Sequence, residues 1–243
     1  MKIHRGTRVF VLTGAGVSAE SGIATFRDAD GLWERHRVED VASPEGWAAD
    51  PALVWRFYSE RRRQARSVSP NPAHHALARL EAHLGDDFFL CTQNVDGLHE
   101  AAGSRRLVHM HGELARSRCE NPACSAAPFV DEGLYLEPGR LPRCATCGAR
   151  VRPHIVWFGE MPFAMREIKR QVQACDLFFT VGSSGSVYPA AGLVGEIRYR
   201  QQRGEPCRSV YVGRERPENA GSFDEIVLGK AGETLPGLLE LVP

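Results

Sequence analysis

No net charge draws this chain to nucleic acid or to a membrane surface. Its 30 basic side chains are balanced by 30 acidic ones, so there is no overall field to steer it toward a polyanion. A membrane-spanning run is missing as well. The uncharged stretch Leu177 to Gly195 is broken by Gly, Ser and Pro, unlike a helix that crosses hydrocarbon. The amino end, "MKIHRGTRVFVLTGAG", has neither the long apolar run nor the small-residue cleavage site of a secretory signal. A disulfide framework is not expected either: the cysteines number seven, an odd count, and four of them form two close pairs, which suits a metal better. There is no internal repeat and no low-complexity tract. These absences lead us to expect a soluble cytoplasmic protein. What the chain does have is core material, 43% apolar residues in 243, enough for one large domain or two small ones.

Short apolar runs mark buried strands at Val9–Leu12, Phe88–Thr92, Leu177–Val181, Ser209–Val212 and Glu225–Leu228. Helical segments separate them, His74 to Leu84 among them, which predicts an α/β fold with a parallel sheet. Three of the runs end in small or polar clusters, where open parallel sheets bind ligands. Two segments interrupt the alternation. Residues 33–70 are helical and rich in Arg and Trp. Residues 119–151 have little periodicity and many Cys, Pro and Gly, so this lobe is expected to be held by something other than a core.

The motifs differ in what they decide alone. In "TGAGVSAESG", Gly14 and Gly16 follow the first strand, where a glycine turn lets a diphosphate approach a helix start. The third glycine of the usual fingerprint is replaced by Ala19, and a plain tight turn fits equally well. Cys119 and Cys124, then Cys144 and Cys147, fit tetrahedral zinc, and with no interleaved His the site reads as structural. Cys91, Cys175 and Cys207 lie in or beside apolar runs and read as core thiols. In "TQNVDGLH", Asn94 and Asp96 suit either a ribose or amide contact or an Asx turn. In "VHMHGEL", one of His109 and His111 is expected to face a cleft as a base and the other to face out; two surface histidines are the alternative. "RPHIVWFGEMP" reads as an apolar core strand.

"LVWRFYSERRRQAR" begins after an Asp50 N-cap and Pro51. A helical wheel gathers Leu53, Val54, Phe57, Tyr58 and Ala65 on one side. Arg62, Arg63 and Arg66 point away from it, whereas Arg61 falls near its middle. A buried guanidinium calls for a partner anion; the alternative is an Arg61 that bends out along its stem.

Taken together, "GAGVSAESGIATFRDADGLW", "TQNVDGLH", "HMHGEL", the four cysteines, "RPHIVWFGEMP" and "VGSSGSVYPAAGL" resemble, in order and context, the sirtuins, NAD-dependent protein lysine deacylases. The resemblance covers nearly the whole chain. It implies a Rossmann-like domain (1–32, 71–117 and 153–243) with a small domain of helical module and zinc ribbon (33–70 and 118–152). It implies NAD as co-substrate, one structural zinc on Cys119, Cys124, Cys144 and Cys147, and acylated-lysine proteins or peptides as partners, with no nucleic acid and no membrane. A monomer is the simplest expectation.

Roles follow from the same resemblance. His111 is the implied base. Gly14, Ala15, Gly16, Ser18 and Glu20 are the phosphate turn. Phe26, Arg27 and Trp33 belong to a loop over the nicotinamide ribose. Gln93, Asn94, Val95 and Asp96 form the ribose and nicotinamide pocket, and Gly182, Ser183 and Ser184 a second phosphate and ribose contact. Gly213, Arg214 and Ala231 line the adenosine end. Val156, Trp157, Phe158, Gly159 and Glu160 form the strand that pairs with substrate backbone, with Val187 to Pro189 as its partner. Tyr58 and Arg61 match the Tyr-x-x-Arg pair of sirtuins acting on succinyl- and malonyl-lysine, and Ala48 and Ala49 are expected to leave room for the longer acyl group. The chain departs from the pattern at Gly213, where an Asn is usual, and in reading Gly-Ser-Ser for Gly-Thr-Ser at 182–184. The implied reaction is attack of the acyl oxygen on C1′ of the nicotinamide ribose, proton removal by His111, and release of free lysine and O-acyl-ADP-ribose. Two rivals are an ADP-ribosyltransferase and a zinc module binding nucleic acid through Arg61, Arg62, Arg63 and Arg66.

Overall fold

The computed structural model describes residues 1–24, 32–33, 36–137 and 139–243. In chain order it runs β1 (Lys2–His4), β2 (Val9–Thr13), α1 (Ala15–Ala19), β3 (Leu32–Trp33), β4 (His36–Arg37), α2 (Val38–Val41), α3 (Pro44–Ala49), α4 (Pro51–Arg66) and α5 (Pro72–Leu84). There follow β5 (Phe88–Thr92), α6 (Leu98–Ala101), β6 (Leu107–His109), β7 (Gly112–Cys119), β8 (Phe129–Val130), β9 (Val151–Ile155), α7 (Met165–Ala174), β10 (Leu177–Val181), α8 (Leu193–Gln202), β11 (Arg208–Gly213), β12 (Glu225–Leu228), α9 (Ala231–Leu238) and β13 (Glu240–Val242). Among the described residues no helix is long and apolar enough to cross a membrane.

Six strands form one parallel sheet in the order β12-β11-β10-β2-β5-β6. Every residue of β2, β5 and β10 is buried, because helices cover both faces and leave no polar side to alternate with. On one face Val9, Val11, Leu90 and Val212 pack against Leu77 and Leu80 of α5 and Leu235 of α9. On the other, Phe10, Leu12 and Phe178 meet Ile168 and Val172 of α7 and Ile197 of α8. Cys91, Cys175 and Cys207 are buried in this second core. The chain reverses direction across the sheet between β2 and β10, the point at which a doubly wound fold opens a ligand crevice.

A second assembly stands beyond the carboxyl ends of these strands. β7 pairs with β8 and with β9 in an antiparallel sheet. The helix α4 starts as its sequence predicts, with the Asp50 carboxylate accepting from the Leu53 amide at 2.9 Å and Pro51 in its first turn. Its Trp55, Phe57 and Tyr58 share a core with Trp47, Leu114, Val151, Ile155 and Trp157. The ribbon therefore does have a core, contrary to the expectation from its composition. That core is borrowed from α4, which the ribbon's own sequence does not reveal.

The same packing corrects Arg62. It is buried rather than turned outward, because α4 has the ribbon on a second side. The Arg62 guanidinium lies 3.2 Å from the Asp131 carboxylate and donates to the carbonyls of Leu114 and Gly133. Ala48 and Ala49 are exposed at the end of α3 and make no room for an acyl group; Ala42 lines the cavity instead.

Candidate active site

A cavity of about 740 Å³ opens between the six-stranded sheet and the second assembly, within the range that receives small-molecule ligands. Its floor is made by two turns that lock together. The Gly14 amide donates to Val181 O and the Gly16 amide to Gly182 O, at 3.0 and 2.8 Å. A Cβ on Gly16 would come within 2.8 Å of Gly182 backbone, and Gly182 itself has φ +64°. Glycine is required at both positions, one for close approach and the other for its conformation. Ala15, Ser18, Ser183 and Ser184 also line this floor. Glu20 does not: its carboxylate accepts from the Gly232 amide at 3.0 Å, at the start of α9.

The segment after β5 forms the next wall. The Gln93 side chain donates to Ser183 Oγ, and the Asn94 side chain to Gly14 O and Ser18 Oγ. Ser18 in turn donates to Asp96, whose other oxygen accepts from the Leu98 amide. An Asx turn and a cavity-lining carboxylate thus coexist at Asp96. Burial raises the Asp96 pKa despite these bonds. Val95 also faces the cavity.

His111 lies in the turn between β6 and β7, half-buried at the cavity wall. Its Nδ1 is 3.1 Å from Gln93 O. A carbonyl only accepts, so Nδ1 carries the hydrogen and Nε2 of the neutral ring keeps its lone pair. Burial lowers the His111 pKa, and the bond to Gln93 offsets only part of that effect. His109 faces elsewhere, its Nδ1 2.9 Å from Asn94 O and its Nε2 2.6 Å from Glu100. In one continuous strand the two rings would share a face. The turn at 110–111 separates them, so the rings diverge, but His109 does not face out as expected: its side chain is only 8% exposed, held between Asn94 O and Glu100.

The opposite wall comes from α4 and from the segment after β9. Tyr58 is fully buried and Arg61 is 6% exposed, and both line the cavity. The Arg61 guanidinium carbon is 5.6 Å from the centre of the Phe57 ring. Trp157 Nε1 donates to the Tyr58 hydroxyl at 3.1 Å. Arg152 stacks on the Trp157 ring at 3.4 Å and pairs with Glu160 at 2.7 Å. The strand expected over 156–160 stops at Ile155. Beyond it the amides of Val156, Trp157, Phe158 and Glu160 donate to His111 O, Glu160 Oε2, Ala42 O and Trp157 O, and Gly159 has φ +88°. The segment is a looped wall because its amides are used within the chain. Phe158, Gly159 and Glu160 line the cavity, as does Val187 across from them.

At the far end are Gly213, Arg214 and Ala231, together with Tyr211, which reads in the sequence as one more core residue of a buried strand. Tyr188, within the expected 187–189 segment, lines the cavity as well, and Ser186 reaches it without a signal in the sequence. Phe26 and Arg27 lie outside the described residues, and of Trp33 only the backbone is described, paired with His36.

The four ribbon cysteines converge. Cys119 Sγ and Cys147 Sγ are 3.5 Å apart, Cys124 Sγ and Cys144 Sγ 3.7 Å, and all four sulfurs lie within 4.8 Å of one another. A tetrahedron of ~2.3 Å Zn–S bonds has edges of roughly 3.8 Å, so the donor set fits zinc.

Known proteins share these features. A profile of the Sir2 family matches residues 14–189. An NAD-dependent protein deacylase of Pasteurella multocida is 50% identical over 96% of both chains. One of Caulobacter vibrioides is 50% identical over 96% of this chain and 95% of its own. A crystal structure of a Sir2 homologue in complex with NAD superposes with a TM-score of 0.84 at 39% identity, covering 96% of this chain and 88% of the other. A Sir2 protein bound to a myristoylated histone peptide superposes at 0.70 with 32% identity, covering 96% and 88%. The chain belongs to the Sir2 family.

Proposed function

We propose that this protein removes acyl groups from lysine side chains of proteins or peptides with NAD as co-substrate, and that it favours acyl groups ending in a carboxylate, such as succinyl and malonyl, while still accepting acetyl. One observation carries the reading: Tyr58, Arg61 and His111 open on the same cavity as the glycine turns. A guanidinium held in an apolar wall favours a ligand carboxylate, which it meets with charge-assisted, often bidentate hydrogen bonds. Burial raises the Tyr58 pKa far above the ordinary range for a phenol, so its hydroxyl stays protonated.

NAD, when bound, supplies a ribose C1′ from which nicotinamide departs. The chain's own residues do the rest. Gly14, Ala15, Gly16 and Ser18 receive the diphosphate with Gly182, Ser183 and Ser184. Gln93, Asn94, Val95 and Asp96 line the nicotinamide-ribose end, and Gly213, Arg214 and Ala231 the adenosine end. Phe26, Arg27 and Trp33 are assigned to the covering loop from the family pattern alone. His111 accepts a ribose hydroxyl proton at Nε2 while Gln93 O holds its Nδ1–H, and its lowered pKa keeps the ring neutral near pH 7. Val156 to Glu160 and Val187 flank the peptide. The four cysteines hold one zinc that shapes the ribbon and takes no part in the chemistry. In the same reading, 1–32, 71–117 and 153–243 act as the NAD-binding domain and 33–70 with 118–152 as the small one.

Product analysis by mass tests the reaction type. Incubation with NAD and a succinyl-lysine peptide is expected to give free lysine peptide, nicotinamide and O-succinyl-ADP-ribose in equal amounts. ADP-ribosylated peptide or protein in their place would identify a transferase instead.

A further inference from the structure

Tyr211 and Gly213 are two apart on β11, so their side-chain positions share a face. The Tyr211 ring lies along the strand toward its carboxyl end. A Cβ built on Gly213 would meet the Tyr211 hydroxyl and come within 2.7 Å of its Cζ. The ring cannot easily yield: it is 3% exposed and rests on Phe223 at 5.5 Å between centres. Gly213, where the sirtuin pattern usually has Asn, is thus the partner of a tyrosine that fills the space in front of it.

The Tyr211 hydroxyl reaches the cavity wall. Among the described residues it has no hydrogen-bond partner, and the oxygen itself is not enclosed but open to the cavity, where a ligand's polar group can meet it. Burial and the charge of Glu215 raise its pKa, so the group is present as a neutral hydroxyl that can both donate and accept. Its surroundings at this end include the Glu215 carboxylate, the Arg214 side chain and the bare backbone of Gly213. A neutral hydroxyl beside a carboxylate matches a sugar diol, and a carboxylate is the group that doubly wound folds use for a ribose. A diphosphate is better met at the glycine floor. β11 and β6, the strand leading to His111, are separated by four strand spacings, roughly 19 Å at ~4.8 Å each. The Tyr211 end is therefore remote from the reacting end.

We propose that the Tyr211 hydroxyl hydrogen-bonds a hydroxyl of the adenosine ribose of NAD, as a binding residue that glycine at 213 makes room for. The proposal rests on the reading of the cavity as an NAD site and names a residue that reading lacks.

The test is direct calorimetric binding of the full chain to two ligands, NAD and the NAD analogue whose adenosine ribose lacks its 2′- and 3′-hydroxyls. Tyr211→Phe keeps the ring and removes only the hydroxyl. It is expected to weaken NAD by about 3- to 10-fold, the range for one neutral hydrogen bond, and to leave the affinity for the analogue at the wild-type level. Gly213→Ala adds the Cβ that displaces the hydroxyl. It is expected to weaken NAD similarly, and the double variant is expected to be no worse than Tyr211→Phe alone. A Tyr211→Phe protein that binds NAD as wild type does would overturn the proposal, as would equal losses for both ligands. A wild-type protein that binds neither ligand would instead sink the NAD-site reading itself, which separates the two failures.

Discussion

The two ends of the cavity are built from different material. The floor proposed to receive the diphosphate is backbone. Gly14, Gly16 and Gly182 interlock through main-chain hydrogen bonds at the switch point of the sheet, and what they offer a ligand is the same whatever acyl group arrives. The end proposed to hold the acyl group is side chain. Tyr58, Arg61 and Trp157 project from a helix and a loop, held by an aromatic core and by the Arg152–Glu160 pair. A backbone site tolerates almost no change and encodes little choice. A side-chain site can be altered one group at a time, which is why the proposed acyl preference is assigned to it. His111 stands between them, tied by Gln93 O to the floor side.

The largest expected effect is on the scaffold that both depend on at one edge. Cys144→Ser removes a zinc ligand from a lobe whose metal contributes folding energy. The variant is expected to lose zinc and unfold its ribbon at much lower temperature, measured by metal analysis and thermal melting; a zinc-free variant melting like wild type would contradict the structural role. Next is the junction. His111→Ala is expected to lower kcat about 10²- to 10⁴-fold with every acyl group. The wild-type kcat/KM is expected to fall on the acid side with an apparent pKa below the ordinary 6.5 of histidine, since burial lowers that of His111.

Two milder changes sharpen the contrast itself. Gly16→Ala sets a Cβ against Gly182 backbone and is expected to weaken NAD at least about tenfold, with the ratio of succinyl to acetyl activity retained. Trp157→Phe removes the indole donor to Tyr58 and leaves a smaller aromatic ring in its place. It is expected to lower the succinyl-to-acetyl ratio about 2- to 10-fold, the range for one hydrogen bond, with NAD affinity close to wild type. If each variant disturbed the other's readout equally, the two ends would not be separate devices.

Much of the floor was legible because its constraints are local. Parallel strands covered on both faces are apolar runs, so Phe88–Thr92 and Leu177–Val181 were read at their observed ends; Glu225–Leu228 was too, but as the edge strand it is half-buried with Leu228 exposed, not the buried strand expected. Glycines after a strand and paired cysteines announce themselves by type and spacing. The rest depends on what packs where. Arg62 lies off the apolar arc of α4 and is buried only because the ribbon covers a second side. Gly112, with φ +88°, closes the turn at 110–111, but a single glycine after two histidines does not say which way each ring faces, and the strand expected over 156–160 gave way to a loop whose amides bond to His111 O, to Ala42 O and within the loop itself. Tyr211 reads as core, and becomes a cavity residue only once Gly213 is seen beside its hydroxyl. Arg61 was legible by period, but what it faces was not until α4 met the loop after β9.

Arg61 carries the central claim, and one paired assay tests it most directly: kcat/KM for a single peptide bearing either acetyl-lysine or succinyl-lysine, for wild type and Arg61→Met. Wild type is expected to prefer the succinyl peptide, and Arg61→Met to lose that activity by at least about tenfold while its acetyl activity falls far less, since a buried charge-assisted pair is worth more than ~1.4 kcal/mol. Equal acetyl activity in both proteins with no turnover of succinyl-lysine would contradict the account and leave a plain deacetylase.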